Sequence, residues 1–174
     1  MGREPVSATA NETHHGGNGG GHGGHGGGGC PSARIRELEV HDTPCGNADA
    51  SQAHSMLGQW PVQLTLVPPT APFLQDADLL ISADCVPFAH PRFHENFLKG
   101  KALVIACPKL DDLDSYVERL TDMFTESTIK SITIVHMEVP CCFGLNHAVE
   151  EALKASKKKI PLKEVTIGVD GEVK

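Results

Sequence analysis

The stretch Asp78-Leu79-Leu80-Ile81-Ser82-Ala83-Asp84-Cys85 decides the fold. It is a short, mostly apolar run that ends at an aspartate and a cysteine. A second run of the same kind, Ala102-Leu103-Val104-Ile105-Ala106, is followed at once by Cys107. Runs that are apolar at nearly every position are typical of strands covered on both faces, as in parallel sheets. The sequence therefore predicts a parallel sheet whose strands end in polar and thiol groups.

Three further segments complete the predicted sheet. Residues 62–67 alternate apolar and polar side chains before the pair Pro68-Pro69, as a strand does. Residues 132–139 and 164–168 are the fourth and fifth predicted strands along the chain.

Apolar residues at helical spacing lie between these strands. Residues 113–124 carry them at i, i+4, i+7 and i+11, and residues 145–153 carry them at i, i+3, i+4, i+7 and i+8. A shorter helix is predicted over residues 93–98, and Ile35 with Leu38 mark another short helical candidate. The alternation predicts an α/β fold of three layers, in which helices flank a mostly parallel sheet of about five strands, of Rossmann-like or flavodoxin-like type.

The 174 residues divide into three predicted parts. Residues 1–29 form a tail rich in glycine and histidine, which we expect to be disordered because its tract at residues 16–29 has no apolar residues to offset the entropy cost of ordering glycine. Residues 30–54 form a linker, and residues 55–174 form the α/β domain. Four tail histidines are candidate ligands for nickel, zinc or copper: His14, His15, His22 and His25.

Composition narrows the possible partners. The formal net charge is −7, from 15 basic and 22 acidic residues, which argues against nucleic acid as the main partner. No apolar run reaches the roughly 18 residues that span a bilayer, and no secretory signal follows the first residues. We therefore expect a cytoplasmic protein in a reducing compartment, where several cysteines suggest metal or redox chemistry.

Four cysteines follow the predicted strands at the point where each strand ends. We call them the thiol rim: Cys85, Cys107, Cys141 and Cys142. Because the carboxyl ends of parallel strands share one edge, these sulfurs should converge there, each near a helix start that stabilises thiolate. Four thiolates suit zinc or an iron–sulfur cluster. Adjacent side chains diverge, so Cys141 and Cys142 favour a larger cluster, or only one of them is a ligand; Cys30 or Cys45 could add a further ligand.

Other polar residues are predicted at the same edge: Asp84, His90, His94, Lys109, Asp111 and Asp112. The two adjacent aspartates are interpreted first as caps of the helix that follows them, because carboxylates are favoured at a helix N-terminus. His136 lies inside a predicted strand and is interpreted as a core histidine. His147 lies on a predicted helix and is expected to be solvated.

Several motifs of the chain occur together in one known group of proteins. They are Gln59-Trp60-Pro61-Val62-Gln63-Leu64, Val67-Pro68-Pro69-Thr70-Ala71-Pro72, Ala77-Asp78-Leu79-Leu80, Ala83-Asp84-Cys85-Val86-Pro87-Phe88-Ala89, Ala106-Cys107-Pro108-Lys109-Leu110-Asp111-Asp112 and His136-Met137-Glu138-Val139-Pro140-Cys141-Cys142-Phe143-Gly144-Leu145. Over roughly residues 30–174 the chain resembles a family of anaerobe iron–sulfur proteins, described as 4Fe-4S ferredoxins or iron–sulfur cluster-binding oxidoreductases. Members often carry an amino-terminal ferredoxin module, whose Cys-x-x-Cys-x-x-Cys-x-x-x-Cys-Pro run is missing here. The resemblance implies a 4Fe-4S cluster held by the domain's own cysteines.

Three functions fit this sequence. The first is an iron–sulfur or related metal-thiolate protein that exchanges electrons with a larger redox protein or oxidoreductase complex, as a carrier or accessory more than a stand-alone enzyme. The second is a metal-handling protein that captures nickel or zinc with its histidine-rich tail and holds the ion at the thiol rim. The third is a thiol enzyme whose nucleophile is Cys107, at a helix start beside Lys109.

Overall fold

A computed structural model of the protein describes residues 33–40 and 54–174. Two short strands, β1 (Arg36–Glu37) and β2 (Gln59–Trp60), form a small antiparallel ladder. The main sheet has four parallel strands in the order β4-β3-β5-β6. These strands are β3 (Asp78–Ala83), β4 (Ala102–Ala106), β5 (Ser131–Met137) and β6 (Leu162–Ile167). The predicted parallel α/β fold is confirmed.

Strand β3 lies inside the sheet, and this position explains why its sequence is almost continuously apolar. Ile81 pairs with Val104 of β4 on one side and with Ile134 of β5 on the other. All three side chains are buried. A strand with neighbours on both edges and helices on both faces has no position where a polar side chain reaches water, except at its ends.

The connections between the strands are helical. They contain α1 (Val86–Ala89), a π-helical turn (His94–Leu98), α2 (Leu113–Glu126) and α3 (Phe143–Ser156), with shorter 3-10 turns at Pro72–Leu74 and Pro140–Cys142. Helices α2 and α3 pack against each other and bury the apolar stripes that the sequence predicts. Right-handed crossovers put these two helices on one face and the β3–β4 connection on the other. The result is the predicted three-layer arrangement.

The predicted strand at residues 62–67 is wrong. Gln63 forms a single parallel bridge with Ile105 of β4. The N–H groups of Leu66 and Val67 then turn back and donate to the carbonyl of Gln63, at 2.9 and 3.1 Å. The alternating pattern reflects a segment that lies beside β4 and buries Leu64 and Val67 in a turn. The main sheet of the described residues therefore has four strands rather than about five.

Three smaller differences concern local structure. The helical candidate marked by Ile35 is wrong, because residues 36–37 pair with β2 and the N–H of Leu38 donates to the carbonyl of Gly58 at 2.9 Å. The predicted fourth strand ends earlier, and the fifth begins earlier, than the alternation of side chains suggests. The short helix predicted over residues 93–98 is a π-helical turn, and Gly100 follows it with a φ of 73°, a conformation that favours glycine.

Some predicted features fall outside the described residues. These include the tail at residues 1–29, its four histidines, Cys30 and Cys45. Of the helices in the described part of the chain, none is long and apolar enough to cross a membrane.

Candidate functional site: the thiol rim

The thiol rim lies at the carboxyl ends of three neighbouring strands. Cys107 follows β4 directly, and Cys85 caps α1 two residues after β3. Cys141 and Cys142 lie in the 3-10 turn that follows β5 and leads into α3. Because neighbouring strands are about 5 Å apart, the outer two of these strand ends are about 10 Å apart. All four residues are free cysteines.

The order of the strands gives this edge a special position. After β3 the chain moves to one side, to β4, and then crosses back over β3 to β5. The direction of winding therefore reverses between β3 and β5, and Cys85 and Cys141 lie on either side of that reversal. In open α/β sheets, ligands bind in the crevice at the carboxyl ends of the strands where the winding reverses. The rim flanks the position where this fold class binds its ligands.

Three of the four sulfurs influence one another electrostatically. Burial raises the pKa of the Cys142 thiol, a hydrogen bond with the backbone of Met137 lowers it, and the neighbouring Cys141 and Cys85 raise it. Cys142 is buried, whereas Cys85 and Cys141 are exposed. The side chains that follow β3 and β5 are thus near enough to repel each other as thiolates.

The loop after β4 packs against the start of α3. A Cβ atom added to Gly144 would lie 3.1 Å from the Cβ of Pro108 and 3.6 Å from Cδ1 of Leu113. Glycine at this position therefore permits the close approach that brings the Cys107–Pro108 segment beside the segment that carries Cys142. This contact therefore connects the loop of Cys107 to the elements that carry the other rim cysteines.

Tyr116 of α2 holds the backbone at Cys107. The N–H of Cys107 donates to the Tyr116 hydroxyl at 3.0 Å, and that hydroxyl donates a very short hydrogen bond to Asp111. Burial, followed by the hydrogen bond to Asp111, raises the pKa of the Tyr116 phenol far above its usual value. The phenol is therefore protonated at neutral pH and can donate to Asp111.

Asp84 and Gln63 place unpaired polar atoms beside this group. Oδ1 of Asp84 and Oε1 of Gln63 are buried and have no hydrogen-bond partner among the described residues. Burial raises the pKa of Asp84, repulsion from Asp111 raises it further, and a hydrogen bond from Gln63 lowers it. The sequence predicted Asp84 at this edge, but gave no signal for Gln63 or Tyr116, because their positions depend on the bridge to β4 and on the rotation of α2.

The histidines predicted at the edge have structural partners. The ring of His90 lies 2.8 Å from the carbonyl oxygen of Gly171 and 2.9 Å from Nδ2 of Asn96. His94 is not at the rim, contrary to prediction: its Nδ1 accepts a hydrogen bond of 3.0 Å from the N–H of Met56. Met56 lines a cavity of about 370 Å³ at the opposite edge, where the strands begin. The β3–β4 crossover has already returned to that edge when it reaches His94.

The interpretations of Asp112, His136 and His147 are confirmed, whereas Asp111 does not cap α2 but accepts a hydrogen bond from the Tyr116 hydroxyl. Asp112 caps α2, since its carboxylate accepts a hydrogen bond of 3.2 Å from the N–H of Ser115. His136 is fully buried in β5, with Nε2 2.9 Å from Oε1 of Glu164, and His147 is exposed on α3.

The rim gathers thiols without arranging them as a coordination sphere. Within residues 33–40 and 54–174, no group of three or more His, Cys, Asp or Glu side chains converges closely enough to hold a metal ion. The donor chemistry nevertheless suits soft metals and iron–sulfur clusters, which prefer thiolate. Coordination by the rim would require the side chains of its four cysteines to move closer together than they are in this structure.

Comparison with known proteins places the domain in a family. A family model described as a Rossmann-like domain matches residues 71–174. A protein of Archaeoglobus fulgidus, described as an uncharacterized protein, is 36% identical over 115 residues, which cover 66% of this chain and 81% of the relative. No solved structure matches the chain significantly.

Proposed function

Since the chain belongs to the family of Rossmann-like domains, we propose that its thiol rim binds an iron–sulfur cluster or a related metal-thiolate centre. In this proposal the protein transfers electrons to or from a larger redox protein. The ligands are Cys85, Cys107, Cys141 and Cys142.

One observation carries the proposal. Three neighbouring strands, β4, β3 and β5, each deliver cysteine to the same edge of the sheet, at the point where the winding reverses. Buried cysteines that served only as small apolar residues would not need to share this edge, and Cys85 and Cys141 are exposed rather than buried.

The pair Cys141–Cys142 favours a cluster over a single metal ion. Side chains of adjacent residues diverge, so two adjacent thiolates more easily reach different iron atoms of a cluster than one small zinc ion. The resemblance of the motifs around all four cysteines to 4Fe-4S proteins supports the same choice. Such a cluster would supply one-electron redox chemistry, with its potential tuned by burial and by hydrogen bonds to the sulfurs.

Purification under strict exclusion of oxygen, with iron and sulfide available, tests the proposal. We expect a brown protein that contains iron and acid-labile sulfide. Each Cys→Ser substitution in the rim should reduce the iron content, whereas Asp84→Asn, which removes a nearby charge but no thiol, should leave it unchanged. Cys30→Ser and Cys45→Ser report whether the linker adds a ligand.

Other outcomes would redirect the assignment. A colourless protein without iron that binds zinc or nickel through the rim would favour metal handling. Equal metal stoichiometry in the full chain and in a shortened chain that begins at Cys30 would then exclude a role for the tail. A metal-free protein in which one thiol is alkylated much faster than the others at pH 6 would favour a thiol enzyme.

A further inference from the structure

The most exposed large hydrophobic side chains surround the thiol rim. In the described part of the chain, five such side chains are at least half exposed, and four of them belong to the connections that directly follow the four strands of the main sheet. We call these four the apolar collar: Leu110 after β4 (80% exposed), Phe88 after β3 (92%), Phe143 after β5 (50%) and Val169 after β6 (71%). The fifth, Val173, bridges back to the end of β6.

Single exposed apolar residues are common, but a row of them along one edge is not. The collar is held in position by backbone hydrogen bonds. The N–H of Phe88 donates to the carbonyl of Cys85, and the N–H of Leu110 donates to that of Cys107, at 3.2 and 3.1 Å. The N–H of Val169 donates to Glu138 at 2.9 Å. Phe88, Leu110 and Val169 are therefore held in fixed turns, and Phe143 is the first residue of α3, directly after Cys142.

The charges around the collar are nearly all negative. Residues 84–90, 107–116 and 138–146, which lie next to the ends of β3, β4 and β5, contain five carboxylates and one lysine: Asp84, Asp111, Asp112, Asp114, Glu138 and Lys109. The later part of the β3–β4 connection adds Arg92 and Glu95, which pair with each other, and Lys99 and Lys101, of which Lys101 lines the cavity at the opposite edge. Across the described residues, none of the five carboxylates forms a salt bridge with lysine or arginine. The hydrogen bonds of Asp111, Asp112 and Glu138 come from backbone N–H groups and a neutral side chain. Lys174 lies near enough to Glu138 to interact with it electrostatically, so the negative charge of the group is only partly offset nearby.

We propose that the apolar collar and its carboxylates form a docking surface for a redox protein that presents apolar residues ringed by lysine and arginine. This inference rests on the proposed function, which supplies the reason for a redox partner. Small, weak electron-transfer interfaces usually have apolar contacts at their centre and opposite charges around their border. Opposite charges also accelerate encounter between the partners.

The same charges disfavour two other occupants. A second copy of the chain would oppose carboxylates with carboxylates, and an anionic lipid surface would repel them in the same way. Self-association and binding to anionic vesicles are therefore measured as alternative outcomes.

Binding of cytochrome c tests the surface, because it is a basic redox protein with lysines around an exposed haem edge. Calorimetric titrations use the full chain, once without iron and once after iron–sulfur reconstitution. We expect binding that weakens with added salt. The double variant Phe88→Ala/Leu110→Ala should weaken it about tenfold. Its matched control, Val40→Ala/Leu162→Ala, removes exposed apolar groups near the edge where the strands begin and should change it less than about twofold.

A second pair of variants isolates the charges. Asp114→Asn/Glu138→Gln should weaken binding about threefold to tenfold, and Asp122→Asn/Glu126→Gln, farther along α2, should not. The proposal is overturned if cytochrome c binds no better than an acidic plant-type ferredoxin, or if the control variants weaken binding as much as the collar variants. Self-association or binding to anionic vesicles that is lost in Phe88→Ala/Leu110→Ala would also overturn it.

The two preparations separate this proposal from the previous one. Collar-dependent binding by a protein that never takes up iron would contradict the proposed cluster and leave the docking surface standing. A protein that holds a stable cluster but binds cytochrome c equally well with and without the collar side chains would support the cluster and contradict the docking surface.

Discussion

The Tyr116 hydroxyl accepts a hydrogen bond from the backbone N–H of Cys107, at 3.0 Å, and so ties helix α2 to the end of strand β4. Tyr116 is fully buried and also donates to Asp111. This one side chain thereby fixes the loop that carries Cys107.

Tyr116→Phe keeps the ring in the core and removes only the hydroxyl. It leaves the N–H of Cys107 without its acceptor, so we expect the free energy of unfolding to fall by about 1–3 kcal/mol. Urea denaturation of the metal-free protein measures the change. The control is Thr125→Val, whose exposed hydroxyl bonds only within its own helix and should change stability by less than about 0.5 kcal/mol. Equal effects of the two substitutions would contradict the tie between α2 and β4.

The thiols of the rim should differ in reactivity. Burial, together with Cys141 and Cys85, raises the pKa of Cys142, so less of it is thiolate at a given pH. In reduced, metal-free protein at pH 8, we expect iodoacetamide to modify Cys85 and Cys141 before Cys142, as followed by peptide mass mapping. Cys85→Ser removes a like charge and should make Cys142 react faster. If Cys142 reacts as fast as Cys85 in the protein without substitutions, burial does not control the reactivity of the Cys142 thiol.

Asp84 predicts an unusual dependence of stability on pH. Burial and then repulsion from Asp111 raise the pKa of Asp84 in the folded protein above its value in the unfolded chain. The folded state therefore holds the proton more tightly, and this residue makes the protein less stable as the pH rises through its folded pKa. Asp84→Asn should increase stability at pH 7, and the gain should shrink as the pH falls towards the unfolded pKa. Denaturation curves at several pH values measure it, and a gain that is constant with pH would contradict this origin.

The contact between Gly144 and Pro108 can be tested by adding volume. Gly144→Leu must push the loop after β4 away from α3, so we expect a loss of about 1–3 kcal/mol of stability and a lower iron content after reconstitution. Ala155→Leu also introduces a leucine side chain, at an exposed site of α3, and should change neither by much. A variant that loses stability but keeps its iron would show that this contact does not set the spacing of the cysteines.

Removal of the tail tests the predicted division of the chain. Deletion of residues 1–29 should leave the melting temperature of the metal-free protein nearly unchanged, because the tail has too few apolar residues to build a core. Calorimetry of both chains measures this. A large drop would show that the tail contributes to the stability of the domain.

The sequence predicted the sheet best where strands are buried on both faces. The runs at 78–83 and 102–106 have the bounds of β3 and β4, because a strand covered on both faces is apolar at nearly every interior position. The alternation at 62–67 misled, since a turn beside an edge strand buries every second or third residue much as a strand does. Local patterns cannot reveal such a difference, which depends on hydrogen bonds to Ile105 and back to Gln63.

The site was predictable in outline only. The positions of Cys85 and Cys107 after apolar runs were enough to place them at one edge of a parallel sheet. The order of the strands was not predictable, so neither was the reversal of winding between Cys85 and Cys141. The collar left a signal in the sequence, namely large apolar residues in the connections directly after strands, but its significance depends on exposure that only the three-dimensional structure gives.

The crossover from β4 over β3 to β5 also has a consequence for biosynthesis. Cysteines that lie side by side in the sheet are separated by up to 57 residues along the chain, from Cys85 to Cys142. Pairing of such distant segments is a late event in folding. A ribosome that has released only β3 and β4 presents two unconnected thiols, and the complete set exists only after α3 has emerged and docked on α2. An inorganic centre that uses all four thiols can therefore be completed only after the segment through Cys142 has been synthesised.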